Sequence, residues 1–363
     1  MKIGILLTYV AEYGKSGFYN NQETGLAKEL SKLVDGLIIY KAVAATEKPE
    51  EIPFSGCPHT VLKRVPTKAN GMNGVWDCSV MDPSLDAIIY FSDTQLAVPS
   101  VYKWCREHQV KLFPYIGVCE SHSTSAVKRM VMDFLFSRNV SVYKKCVCFV
   151  KTPDVGAALA KKGIQNTVVT PVGIDVSLLH EEYKKADADA LKVKWGFAPE
   201  DKILLFIGRM TEEKQPQLMI KIFRQVYREH PDYKLLMIGK GELLDAAKQA
   251  AQGLPVQFVE QVPNKDIWEL YRIAEAFVNL NRQEIFGMAI LEAMYYECRV
   301  IAWKAPGPSF IIGEGRCGRL CGSEEEIASA IVENDIDTGA AHDRILNSFT
   351  WASTAKLIRS KIG

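Results

Sequence analysis

Ile203-Leu204-Leu205-Phe206-Ile207-Gly208-Arg209-Met210-Thr211-Glu212-Glu213-Lys214 is an apolar run that stops at a glycine and then delivers two cations five residues apart. Its length, its branched and aromatic residues and its bounding glycine read as a buried strand. Downstream the same rhythm repeats. Lys202–Gly208, Lys234–Gly239, Val256–Glu260, Ala276–Leu280 and Arg299–Trp303 read as strands, and Gln215–Glu229, Glu242–Gln252, Asn264–Ala274, Met288–Tyr296 and Glu324–Val332 as helices between or after them. Strands alternating with helical patterns predict βαβ units on a parallel sheet.

Upstream there is a second alternation. Ile3–Tyr9, Gly36–Tyr40, Ala87–Phe91, Lys111–Val118 and Cys146–Lys151 are strand-like, and Glu23–Leu33 and Pro99–His108 are helical; Cys57–Asp82 is polar, contains glycine and carries no assignable period. Val168-Val169-Thr170-Pro171-Val172-Gly173-Ile174-Asp175, followed by the charged stretch His180–Lys194, marks the junction. The expected fold is α/β, with two tandem Rossmann-like doubly wound domains facing a central cleft at the carboxyl ends of both sheets. The expected boundaries are 1–170 and 171–340, with a helical segment 341–363 packing back on the first domain and Thr350 placed to start a helix.

A chain of 363 residues with 48% hydrophobic content exceeds the size at which single cores usually divide. A formal net charge of +1 offers no global field for nucleic acid. No stretch approaches the roughly 18 apolar residues of a membrane span, and Met1–Tyr9 reads as a strand, not a leader, so a cytoplasmic protein is expected. Nine scattered cysteines fit reduced thiols, and neither Cys146-x-Cys148 nor Cys317-x-x-x-Cys321 completes a metal set. Asp187-x-Asp189 and Asp335-x-Asp337 lie away from apolar strand ends and read as solvated charge.

Chemistry concentrates in the second alternation. Arg209 can grip phosphate oxygens in pairs, and Lys214 acts on them as a point charge. Gly239-Lys240-Gly241 ends another strand in a turn that lets backbone approach a ligand. Asn281-Arg282-Gln283-Glu284-Ile285-Phe286-Gly287-Met288-Ala289-Ile290-Leu291-Glu292-Ala293-Met294 places two carboxylates eight positions apart around a Phe-Gly turn. Were all of it helical, the carboxylates would stand about 12 Å apart, beyond the roughly 5 to 9.5 Å of a hydrolase pair. The layout suits a long polar ligand lying across a helix start: hydroxyls at each end and an anion between. Each motif alone also fits an ordinary role as loop cations, a glycine turn or an amphipathic helix.

Taken in order, Pro171-Val172-Gly173-Ile174-Asp175, Gly208-Arg209 with Lys214, Gly239-Lys240-Gly241 and Glu284-x7-Glu292 resemble the retaining GT-B glycosyltransferases of family 4. The resemblance is strong from about Lys151 to Cys321 and weaker before. It implies a nucleoside diphosphate sugar, with uridine the expected base, as co-substrate and no cofactor. It implies that Arg209 and Lys214 neutralise the leaving diphosphate, with Gly208 beside them and the backbone of Phe286, Gly287 and Met288 adding a helix-start field. Glu292 would accept hydrogen bonds from the ribose, Glu284 would hold hydroxyls of the transferred sugar, and the loop Glu260-Gln261-Val262 would meet the base. Asp175 would be structural. The acceptor hydroxyl would attack on the face the diphosphate leaves, the diphosphate taking the proton, with no protein nucleophile and no metal.

Two positions depart from the pattern. Phe310, after Gly307-Pro308-Ser309, stands where an acidic residue is common, and the first-domain histidine is displaced to His122. His122 reads either as a catalytic contact or as a surface residue. Gly17, in the loop Tyr13–Asn21, would let backbone N–H groups approach the diphosphate; an ordinary βα loop is the other reading. Ser125–Lys145 mixes Lys128, Arg129, Arg138, Lys144 and Lys145 with apolar residues, which fits either a buried helix with basic ends or a helix at an anionic membrane interface on the inner face.

The function expected is transfer of a hexosyl unit, with retention, to a glycan or lipid-linked acceptor in polysaccharide or glycoconjugate synthesis. The alternatives are an epimerase of the same fold acting on a UDP-sugar and a non-catalytic nucleotide-sugar-binding protein. A nicotinamide dehydrogenase is disfavoured because Thr8-Tyr9-Val10-Ala11-Glu12 offers no Gly-x-Gly-x-x-Gly run.

Overall fold

The computed structural model describes the chain except residues 11–21, 71–72 and 120–125. Gly17 and His122 therefore lie outside the described residues. The chain divides into two compact units: Met1–Gly173 with Thr350–Gly363, and Ile174–Phe349.

In the first unit, β1 (Lys2–Leu7), α1 (Gln22–Leu30) and β2 (Gly36–Ala44) open the chain. β3 (Glu50–Pro53), β4 (Thr60–Thr67) and the small ladder β5 (Ala69–Asn70) and β6 (Asn73–Gly74) follow. β7 (Ala87–Phe91), α2 (Val98–Glu107), β8 (Lys111–Ile116), α3 (Ala126–Tyr143), β9 (Cys148–Val150), α4 (Pro153–Lys161) and β10 (Thr167–Val169) complete this stretch. Eight of the strands form one sheet in the order β10-β9-β8-β7-β1-β2-β4-β3, parallel except for β3. Ile5 lies between Ile39 and Ile89 at its buried centre.

β4 falls in the stretch without an assignable period. Its alternation is broken by Lys63 and Arg64, whose partners come from across the sheet edge: Lys63 meets Glu51 at 3.1 Å and Arg64 meets Glu50 at 3.3 Å. β9 is shorter than the run Cys146–Lys151, because Cys146 still closes the turn after α3 through its N–H to Tyr143 O, 3.2 Å.

α3 decides between its two readings along its length. Phe136, Val142 and Tyr143 are buried, whereas Val127, Met130, Val131 and Phe134 are 66, 66, 49 and 68% exposed. Their spacing of three, four and seven residues puts them on one helical face. Among the described residues no helix is long and apolar enough to cross a membrane.

The second unit begins with α5 (Ala188–Lys194). β11 (Lys202–Ile207), α6 (Pro216–Glu229), β12 (Tyr233–Ile238), α7 (Leu244–Ala250), β13 (Val256–Val259), α8 (Ile267–Ile273) and β14 (Ala274–Asn279) follow. The unit continues through α9 (Met288–Tyr295), β15 (Arg299–Trp303), α10 (Pro306–Ile312), β16 (Arg319–Cys321), α11 (Glu324–Val332) and α12 (Thr338–Ser348). The sheet is wholly parallel in the order β13-β12-β11-β14-β15-β16. Counted within the unit this is 3-2-1-4-5-6, the doubly wound order that gathers ligand loops at the carboxyl ends of its strands. Leu204, Phe206, Leu235, Met237, Val278 and Ile301 face Met219, Ile222, Phe223 and Val226 of the amphipathic α6. Fully burying one such side chain is worth about 1.5–3 kcal/mol.

The two aspartate pairs have local tasks. Asp187 caps α5 by accepting from the N–H groups of Asp189 and Ala190, Asp337 caps α12, and Asp335 pairs with Arg319.

The segment 341–363 splits differently from the expectation, since α12 packs on α9 in the second unit and only α13 (Trp351–Ile362) joins the first. Thr350 caps α13 by accepting from Ser353 N, and Thr354 Oγ1 donates to Pro171 O at 2.8 Å. Two glycines let α13 seat: a Cβ on Gly25 would stand 2.2 Å from Trp351 Nε1, and one on Gly173 would stand 2.2 Å from Trp351 N. Gly25→Ala is expected to lower the stability of the first unit by about 1–3 kcal/mol through overpacking, read as an earlier urea transition by tryptophan fluorescence. An unchanged midpoint would mean that Trp351 is not held against α1.

Candidate functional site

All the described candidate residues lie in the second unit, on loops at the carboxyl ends of its strands or, for Met288 and Glu292, in the helix α9 that follows one such loop. Gly208 and Gly239 end the neighbouring strands β11 and β12, and their backbones nearly touch. A Cβ on Gly239, whose φ is 140°, would stand 1.9 Å from Gly208 O. Met210 N donates to Lys240 O at 3.0 Å, so the two strand-end loops are stitched together.

Lys214 ends a short 3-10 turn, Glu212–Lys214, and the chain enters α6 through Gln215 at φ 56° and Pro216. A non-glycine residue at positive φ is uncommon and collects at functional sites. Lys214 Nζ meets Glu284 Oε2 at 2.6 Å, and the two side chains are only 22 and 16% exposed. Arg209 is 70% exposed and faces Glu213 at 3.5 Å. The two cations are thus each matched to a carboxylate of the protein.

The stretch from Glu284 to Glu292 is not one helix. Gly287 adopts φ 102° and α9 starts at Met288, so Glu284 belongs to the turn before it. Gly307 at the head of α10 fixes that turn: its N–H donates to Glu284 O at 2.8 Å, and a Cβ there would stand 2.2 Å from Phe286 O. Phe286 is buried, its ring tilted against Phe349 at 6.4 Å. No side chain caps the start of α9. A helix start whose first N–H groups lack a cap favours an anion.

Glu292 is on the first turns of α9, which is buried on every side. It is 5% exposed, with the Tyr271 hydroxyl donating to Oε2 at 3.0 Å. Burial raises its carboxyl to about 7, with the Tyr271 hydrogen bond pulling the other way. Val262, in the loop after β13, has a buried side chain. Phe310 stacks edge-on against Phe349 at 5.3 Å, so this position serves packing within the unit.

Two residues of this region escape the sequence reading. Asn281 binds Glu284 and Glu213 together, and Tyr271 holds Glu292. Asn281 carries a faint signal, a second asparagine just past a strand, whereas Tyr271 sits in α8 with nothing local to single it out. Among the described residues no group of three or more His, Cys, Asp and Glu side chains is placed to hold a metal ion.

With this geometry in place, similarity to known proteins adds a family. Two solved structures align along nearly the whole chain. Sucrose-phosphate synthase from Thermosynechococcus elongatus matches with a TM-score of 0.75 and 17% identity over 99% of this chain and 98% of that one. Anabaena HepE in complex with UDP and glucose matches with a TM-score of 0.70 and 16% identity over 100 and 99%. These likenesses concern the fold, which is GT-B. Residues 161–334 match the family model described as "Glycosyl transferases group 1". Over those residues, somewhat less than half of its length, the chain is similar to that family. Among relatives, the alpha-monoglucosyldiacylglycerol synthase of Streptococcus pneumoniae (strain ATCC BAA-255 / R6) is 28% identical over 193 residues, 52% of this chain and 44% of that protein. The D-inositol 3-phosphate glycosyltransferase of Corynebacterium glutamicum (strain R) is 25% identical over 53% of this chain and 50% of that protein. The chain thus spans about half the length of these relatives.

The buried carboxyl has a pH signature. A carboxyl whose folded pKa lies above its unfolded one holds more protons when folded. Its contribution is complete below its ordinary value of 4.5 and is lost as pH rises through about 7. Glu292→Gln, which cannot ionise, is therefore expected to gain on the unaltered chain between pH 5 and pH 8 by on the order of 3 kcal/mol. Melting midpoints across that range would show it; parallel profiles would place an ionised Glu292 in contact with water.

Proposed function

We propose that the chain is a retaining glycosyltransferase that moves a hexosyl unit from a nucleoside diphosphate sugar to a glycan or lipid-linked acceptor. The observation that carries this reading is the ion pair of Lys214 and Glu284 at the uncapped start of α9, with Arg209 on the adjoining strand end. A cation, a hydroxyl-binding carboxylate and free helix N–H groups meet where a glycosyl–diphosphate bond would lie.

In this reading Lys214 turns from Glu284 to the diphosphate, and Arg209 joins it as negative charge grows on the leaving oxygens. Cations aimed at developing charge act most strongly in the transition state. Glu284, released from Lys214, accepts from hydroxyls of the transferred sugar. Glu292 accepts from the ribose, and Val262's loop meets the base. The acceptor hydroxyl attacks on the face that the diphosphate leaves and passes its proton to it, so no protein nucleophile and no metal ion take part. Uridine as the base is supported by the UDP bound to Anabaena HepE.

A lipid-linked acceptor is supported by the relative named for diacylglycerol and by the exposed stripe of α3. Val127, Met130, Val131 and Phe134, with Arg129 on the same helix, would rest on an anionic bilayer at the cytoplasmic face.

Lys214→Ala is expected to lower turnover of a nucleotide sugar by about a hundredfold or more in a chain that still folds, with a melting midpoint lowered by the loss of the partner of Glu284. Among uridine, guanosine and adenosine diphosphates, uridine diphosphate should raise that midpoint most, since a bound ligand stabilises the folded state. Turnover should continue in excess chelator, and loss restored by magnesium alone would contradict the metal-free route. Full turnover by Lys214→Ala would overturn the assignment. Separately, Phe134→Glu with Met130→Glu should abolish sedimentation with phosphatidylglycerol vesicles. Equal sedimentation of variant and original chain would remove α3 from membrane contact.

A further inference from the structure

Asn281 is 1% exposed and its amide is fully engaged. Its Nδ2 donates to Glu213 Oε1 at 3.0 Å and to Glu284 Oε2 at 3.2 Å, while its Oδ1 accepts from Gln283 N at 2.9 Å. The orientation is fixed by chemistry, because an ionised carboxylate only accepts and an amide nitrogen carries two hydrogens. One neutral side chain thus ties the carboxylate facing Arg209 to the carboxylate facing Lys214, across two strand-end loops.

We propose that Asn281 is the positioning residue that keeps Glu284 aimed once Lys214 has turned to the diphosphate, an inference that rests on the function proposed above. Glu284 Oε2 has two donors in the free chain, Lys214 Nζ at 2.6 Å and Asn281 Nδ2 at 3.2 Å. A diphosphate carries more negative charge than a carboxylate and draws the lysine away. A buried carboxylate stripped of its partner is costly to leave unpaired. Asn281 remains on Oε2, which holds the carboxylate plane and leaves Oε1 for a sugar hydroxyl. Its neutrality matters: a cation there would compete with Lys214 for both carboxylates and keep them from a sugar hydroxyl, and an anion would repel them. The backbone supports the same geometry, since Asn281 N donates to Asn279 Oδ1 at 3.0 Å and Gly307 N holds Glu284 O.

The test is a double-mutant cycle on UDP release from UDP-glucose without added acceptor, with UDP affinity and circular dichroism measured on every variant. Asn281→Ala is expected to lower kcat about tenfold at nearly constant donor KM, and to cost nothing further in a Glu284→Ala background. Asn281→Asp, of the same size, should lose activity at pH 8 and regain part of it as the pH is lowered, because protonation relieves repulsion among three carboxyls. Equal losses in both backgrounds, or an Asn281→Asp variant with unaltered rate and pH profile, would overturn the proposal. Asn281→Ser runs the same cycle if the alanine variant does not fold. Absence of UDP release from the unaltered chain, by contrast, would overturn the glycosyltransferase reading and this inference with it.

Discussion

The contact between Lys214 Nζ and Glu284 Oε2, at 2.6 Å, links two parts of the chain seventy residues apart. Both groups are mostly shielded from water, so each would be costly without the other. The contact forms because β11 and β14 are neighbours in a parallel sheet and their loops emerge on the same side. A Gln215 in the left-handed region and a Pro216 locked into the first turn of α6 then turn the chain away directly after the lysine. Sheet order, loop shape and ion pair are one constraint expressed at three scales.

The glycines around this pair do a different kind of work. Gly239 allows two strand-end backbones to approach more closely than any side chain permits, and Gly307 allows the head of α10 to press on Phe286 O. Four loops are thereby held in two pairs by backbone contact, which leaves the side chains of Arg209, Lys214 and Glu284 without a packing duty. A polar group that is not needed for packing can exchange partners at low cost.

Much of this was legible in the sequence for a physical reason. Strands buried on both faces of a parallel sheet are continuous apolar runs, so Ile203–Ile207 and Val300–Trp303 announce themselves, and the residue that ends each run sits where ligands bind. Arg209 and Lys214 were singled out as candidates that way, and Glu284 and Glu292 through their spacing around Phe286-Gly287. What stayed hidden depends on contacts distant in sequence. β4 was masked by Lys63 and Arg64, whose charges make sense only against Glu51 and Glu50 across the sheet edge. Tyr271 matters because α8 carries it to Glu292, and Asn281 because two carboxylates from different loops converge on it. The Phe286-Gly287 turn and the helix after it were legible from the glycine and the apolar run, and the positive φ of Gly287 turns the chain before α9 begins. The outer half of α3 was ambiguous because its composition suits a buried helix and a surface one equally, and only burial separates them.

α13 belongs to the first unit but follows the second along the chain. A ribosome releases the amino-terminal end first. When Ile174–Phe349 has been made, the face of α1 that receives Trp351 at Gly25 is still without its partner helix. The order of synthesis therefore sets an order of completion: the unit begun first is the one finished last. The join at Gly173 and Thr350 is then a clasp, closed by Trp351 after both sheets exist.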